Sequence, residues 1–135
     1  MARFDQVIYT DRALEEKLGF PRFVRTTGVT LHMSGMLSAD PDFNLVGRGD
    51  MAAQIHRIYT RLEEALKVVD ATLQNVVSEI LFATDIKALT AASHVRTEFY
   101  RRANASKPAS TAIEVKALAL EGAMLEIHPI IELPR

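Results

Sequence analysis

Between Asp50 and Glu132 the chain switches repeatedly between helical and strand periodicity, and this order constrains the fold more than any other feature. Met51, Ile55, Ile58, Leu62, Ala65, Leu66 and Val69 recur at helical spacing and form one apolar stripe. Asp50 stands before them at the N-cap position. Asp70 and Ala71 end that pattern, and Val76–Thr84 (VVSEILFAT) reads as a strand. A second helix is expected over about Leu89–Arg102, with Ala92, Val95, Phe99 and, at the margin, Arg96 toward the sheet. Pro108 closes the next loop, and two strands, Ser110–Lys116 and Ala123–Glu132, follow. A helix between strands supplies the crossover that a parallel pair requires.

The first fifty residues are less regular. Phe4–Tyr9 alternates weakly as a first strand, and Asp11–Leu18 is a polar helical turn or loop. Phe20–Thr26 and Val29–Leu37 look like a hairpin pair around Gly28, and Ser38–Asn44 is dense in turn formers. The whole implies an α+β fold in a single domain, residues 1–135, with one mixed sheet and two helices on one of its faces.

Composition narrows the function classes. With 48% apolar and 24% charged residues, the chain has ordinary globular values. Its net charge of −1 comes from dispersed charges, which argues against nucleic acid as a partner. The absence of cysteine excludes disulfides, thiolate metal sites and a cysteine nucleophile. No apolar run approaches the ~20 residues of a membrane span, and Met1–Thr10 has no signal-peptide core, so no membrane role is expected and the cytoplasm is the default location.

The segment Lys107–Ile127 (KPASTAIEVKALALEGAMLEI) carries the chemistry. It resembles the C-terminal signature of the RidA/YjgF/YER057c family, small proteins that hydrolyse reactive enamines and imines. Pro108, Ala109, Ile113-Glu114-Val115 and Leu125-Glu126-Ile127 fall where that signature has them. Ser34-Gly35, the Gly49-Asp50-x-x-x-Gln54 helix start and Phe82-x-Thr84-Asp85 extend the likeness across most of the chain. The resemblance implies a chorismate-mutase-like fold, a homotrimer, and three clefts between subunits that take a small molecule.

It also implies site residues. Glu126 matches the glutamate that orients a hydrolytic water or moves protons, and Gly35 the glycine whose backbone lies beside the ligand. Ser110 replaces the arginine that holds the substrate carboxylate. A guanidinium grips a carboxylate with two parallel bonds, whereas a hydroxyl supplies one weak bond. Ser93 stands for a helix asparagine, Ala112 for another cleft position, and Arg96 for a helix tyrosine. This altered lining implies a different ligand. Arg22, Arg25 and Arg96 are the cations available to replace the missing one, set against their role as surface solvation.

Each residue also has a structural reading. Glu126 is either a base for water attack or one half of an ion pair at an interface. His128 lies two residues along the same strand, ~7 Å away at Cβ, and is structural, an acid–base partner, or part of a metal site needing a third ligand such as His32. No His-x-x-x-His, glycine-rich phosphate loop or Ser-His-Asp order occurs, so neither a metal nor another cofactor is expected. Strand alternation further predicts that Ser110 and Glu126 share the sheet face away from the helices. Two readings remain, a RidA-like hydrolase and a non-catalytic small-molecule-binding trimer; a ribonuclease role is weakened by the neutral charge.

Overall fold

The structure, a computed structural model, describes residues 6–18 and 20–134. Its elements run β1 (Gln6–Ile8), α1 (Arg12–Leu18), β2 (Phe23–Arg25), β3 (Val29–His32), β4 (Met36–Leu37), α2 (Met51–Val68), β5 (Val76–Ala83), α3 (Ile86–Ala91), α4 (Ser93–Arg102), β6 (Ala109–Glu114) and β7 (Leu125–Leu133). The expected first strand begins at Phe4, outside the described residues. No described helix is long and apolar enough to cross a membrane.

The principal sheet runs β3-β7-β5-β6, and β4 also pairs with β7. β5 and β6 are parallel, joined by the α3–α4 crossover, while β7 is antiparallel to β3, β4 and β5. The mixed α+β arrangement therefore stands. Two expectations are corrected. The second helix breaks at Ala92 into α3 and α4, with Asp85 capping α3 through Ala88 N. The hairpin around Gly28 does not form: β2 pairs with β1 in a separate ribbon, and β3 joins β7. Gly28 packs against the Leu133 carbonyl, where a side chain would collide with the backbone, so the chain there is drawn to the β7 edge.

The core lies between the sheet and α2. Ile55, Ile58, Leu62 and Leu66 of α2 meet Leu125, Ile127 and Ile131 of β7, all essentially inaccessible. The apolar stripe folds as read, except that Val69 is exposed beyond the helix end. Asp50 caps α2 by accepting from Ala53 N at 3.0 Å. Gln54 is buried and fully used: its amide donates to Gly47 O and Gly122 O, both at 3.1 Å, and its oxygen accepts from Met124 N at 2.8 Å. One side chain thus ties the start of α2 to the loops that precede α2 and β7.

Candidate functional site

Register assigns the side chains of the sheet to its two faces. Glu79 pairs with Ser110 and Leu81 with Ala112 across β5 and β6. Glu79 and Leu81 are buried beneath the helices, so Ser110 and Ala112 face the helices with them. On the other face Phe82 is opposite Glu126 and Ile80 opposite His128, with Thr111 and Ile113 alongside. Ser110 and Glu126 therefore lie on opposite faces, correcting the expectation that they share one. Alternation pairs residues within a strand but does not say which set meets the helices. In β6 the aliphatic set is the outward one, and Ile113 is 42% exposed.

On the helix side Ser93, Arg96, Ser110 and Ala112 come together around a cavity of ≈280 Å³. Its floor is aliphatic, with Ile55, Leu81, Leu89 and Leu125. Arg96 enters from α4 with a side chain only 13% exposed. Its Nη2 donates to Ser110 Oγ at 2.8 Å, and Ser110 Oγ in turn donates to Pro108 O at 2.8 Å. Its Nε donates to Glu79 Oε2 at 3.0 Å and to Tyr59 Oη at 3.1 Å. Tyr59 Oη donates to Glu79 Oε2 at 2.8 Å, and Tyr100 Oη donates to Glu79 Oε1. The guanidinium carbon also lies 5.3 Å from the Tyr100 ring centre.

These groups hold one another in definite charge states. Burial would lower the Arg96 pKa, but the Glu79 carboxylate outweighs it and the guanidinium stays firmly charged. Burial, reinforced by the Glu79 charge, pushes both Tyr59 and Tyr100 well above the ordinary phenol value, so both remain neutral donors. Lys107 is shifted down by partial burial and by the nearby Arg96 charge. Every partner of Arg96 at Nε and Nη2 is thus satisfied, while Nη1 makes no hydrogen bond among the described residues.

The other named residues lie elsewhere. Glu126 rests against Gly35: any Cβ at that glycine would overlap the carboxylate. His128 is next along the same face of β7. Arg22 does not reach the cavity; its Nε donates to the buried Glu15 carboxylate at 3.1 Å. Sequence reasoning passed over Tyr59, Glu79 and Tyr100. Glu79 left a signal, as the single charge in the mostly apolar run of β5, VVSEILFA.

The family model described as Endoribonuclease L-PSP matches residues 10–133. The chain belongs to this family, the Rid/YjgF proteins. A RutC family protein of Sulfurisphaera tokodaii is 24% identical over 125 residues, spanning 93% of this chain and 96% of that one. The 2-iminobutanoate/2-iminopropanoate deaminase of Capra hircus is 29% identical over 101 residues, covering 75% of this chain and 71% of its own. Among Rid structures, YyfB of Yersinia pestis, described as a protein of unknown function of the conserved Rid family, superposes with a TM-score of 0.83. It is 26% identical and covers 95% of this chain and 98% of its own. Some Rid proteins are therefore imine deaminases, and this Rid chain shares their fold.

Proposed function

We propose that this chain hydrolyses a small imine or enamine bearing a carboxylate, in clefts between identical subunits of a homotrimer. The observation that carries this reading is the 2.8 Å bond from Arg96 Nη2 to Ser110 Oγ. It sets a guanidinium beside Ser110, the position where the resemblance to the RidA signature implies a carboxylate-binding arginine. The cation comes from α4 instead of β6, held by Glu79.

Oppositely facing Ser110 and Glu126 can meet at one ligand only if two protomers contribute, one through its helix-side cavity and the next through its Glu126 face. The outward apolar set of Ile80, Phe82 and Ile113 supports burial of that face against another copy. In the reaction Glu126 accepts a proton as a water oxygen bonds to the imine carbon, then returns it to the nitrogen. The same carboxylate then carries the hydroxyl proton of the carbinolamine to the amine, so that the C–N bond breaks, ammonia leaves and a carbonyl remains. Gly35 gives the Glu126 carboxylate room to take its place. A second reading, a binding trimer without catalysis, is favoured by the same separation of faces if the assembly keeps Glu126 away from the cavity.

The test is imine hydrolysis with 2-imino acids generated by an amino-acid oxidase and trapped by semicarbazide. Wild-type hydrolysis that falls at least ~100-fold in Arg96→Met, the scale of a lost charged anchor, supports the replacement. Activity appearing only in Ser110→Arg would mean that Arg96 does not serve the substrate. Inactivity of both would leave the binding trimer as the better account.

A further inference from the structure

Lys107 is the one lysine of five that the fold draws partly out of water. Lys17, Lys67, Lys87 and Lys116 are exposed, whereas Lys107 is half-buried in the loop between α4 and β6. It lines a second cavity, of ≈320 Å³, which among the described residues shares only Phe20 with the one at Ser110. Tyr9, Phe20 and Ala105 give this cavity its apolar wall, and all three keep part of their surface open to a ligand. The charges at its rim are already neutralised. Glu16 is held by Arg12 at 2.8 Å, and Arg101 is held by Glu98 through two nitrogens. The Lys107 amine has neither an ion pair nor a hydrogen bond among the described residues, and its electrostatic neighbour is Arg96, of like charge.

An amine so placed is a nucleophile more than an anchor for anions. Arg96 cannot give up its charge, because Glu79 keeps it protonated. Partial burial first, and that fixed cation second, lower the Lys107 pKa and enlarge the neutral fraction that carries a free lone pair. We infer that Lys107 captures an uncharged aldehyde borne on a compact aromatic group, as a covalent imine formed in this cavity. The nitrogen lone pair bonds to the carbonyl carbon, and a proton passes from nitrogen to oxygen. The carbinolamine then loses water, so that amine and aldehyde become imine and water with no change of oxidation state. Tyr9 and Phe20 supply rings for an aryl group to pack against, and a cavity of about 150 Å³ already suffices for benzene. A charged substrate would find Glu16 and Arg101 engaged. The site is separate from the proposed imine hydrolysis, which is assigned to Glu126 and Arg96.

Benzaldehyde with sodium cyanoborohydride converts each lysine imine to a benzylamine that peptide mass spectrometry locates. In the intact protein at neutral pH, Lys107 should be benzylated at least ~10-fold faster than each of the four exposed lysines. Its rate should saturate as benzaldehyde is raised. Lys107→Arg should remove the saturating component and leave the other rates unchanged. Equal rates at all five lysines would overturn the assignment of a nucleophile. Fast labelling that never saturates would overturn the cavity as the place of capture. Slow labelling that inorganic phosphate suppresses further would make Lys107 a protonated anchor for anions, and the proposal would fail. Comparing lysines within the wild-type chain needs no variant to fold, and none of these outcomes depends on imine hydrolysis.

Discussion

Glu79 of β5 and Arg96 of α4 form a buried ion pair, Oε2 to Nε at 3.0 Å, that fixes where the only guanidinium lining the Ser110 cavity among the described residues points. A buried pair adds little net stability relative to an apolar pair of the same shape, but breaking one partner is expensive. Tyr59 and Tyr100 complete the arrangement by donating to the same carboxylate. The network therefore serves position: it keeps a flexible side chain extended toward Ser110.

Glu79→Gln is expected to destabilise the fold by about 3–5 kcal/mol, because Arg96 would be left charged and uncompensated. Adding Arg96→Met should recover part of the loss, since the uncompensated charge is gone. A double-mutant cycle in urea measures this. Additive losses would mean that the two groups act independently, contrary to their geometry.

Gly35→Ala should leave folding nearly intact and damage catalysis. The added methyl would strike the end of the Glu126 side chain, which can swing aside at small cost. A loss of imine hydrolysis of at least ~10-fold with an unchanged melting temperature is the expected pattern. Full activity would show that the position of Glu126 against Gly35 has no part in the reaction.

Glu126→Gln should abolish hydrolysis while preserving assembly, because it removes the proton acceptor but keeps the side-chain shape. Wild type and variant should both scatter light as a trimer of 15.0 kDa chains. A monomeric wild type would leave Ser110 and Glu126 on opposite faces of one sheet with no shared ligand, ending the cleft proposal.

Alkaline pH should weaken the fold in a defined way. The Tyr59 and Tyr100 hydroxyls keep their protons in the folded state above the ordinary phenol value of 10.0. Unfolding then releases protons, so their contribution is complete below pH 10 and declines as pH rises further. The slope is at most about 1.4 kcal/mol per pH unit for each tyrosine. Denaturant unfolding between pH 8 and 11 should show it. The double variant Tyr59→Phe/Tyr100→Phe should have a flatter profile, and an equally steep one would place the titration elsewhere.

Local signals made much of this architecture legible. Asp50 at an N-cap, the stripe through Ile55, Ile58, Leu62 and Leu66, and the alternating run of β7 each depend on neighbours within a few residues. They suffice for helix, crossover and strand order, and the matched residues from Pro108 to Ile127 suffice for the family. The N-terminal pairing was less legible, since β1 and β2 hold only three residues each and carry little periodicity. Only tertiary structure decided which face of β6 meets the helices, because alternation is symmetric between the two faces until packing breaks the tie. It also decided that Arg96 reaches Ser110, fourteen residues away in sequence. A long side chain's destination depends on how α4 sits over β5 and on a buried Glu79 to pull against, and no local pattern encodes either.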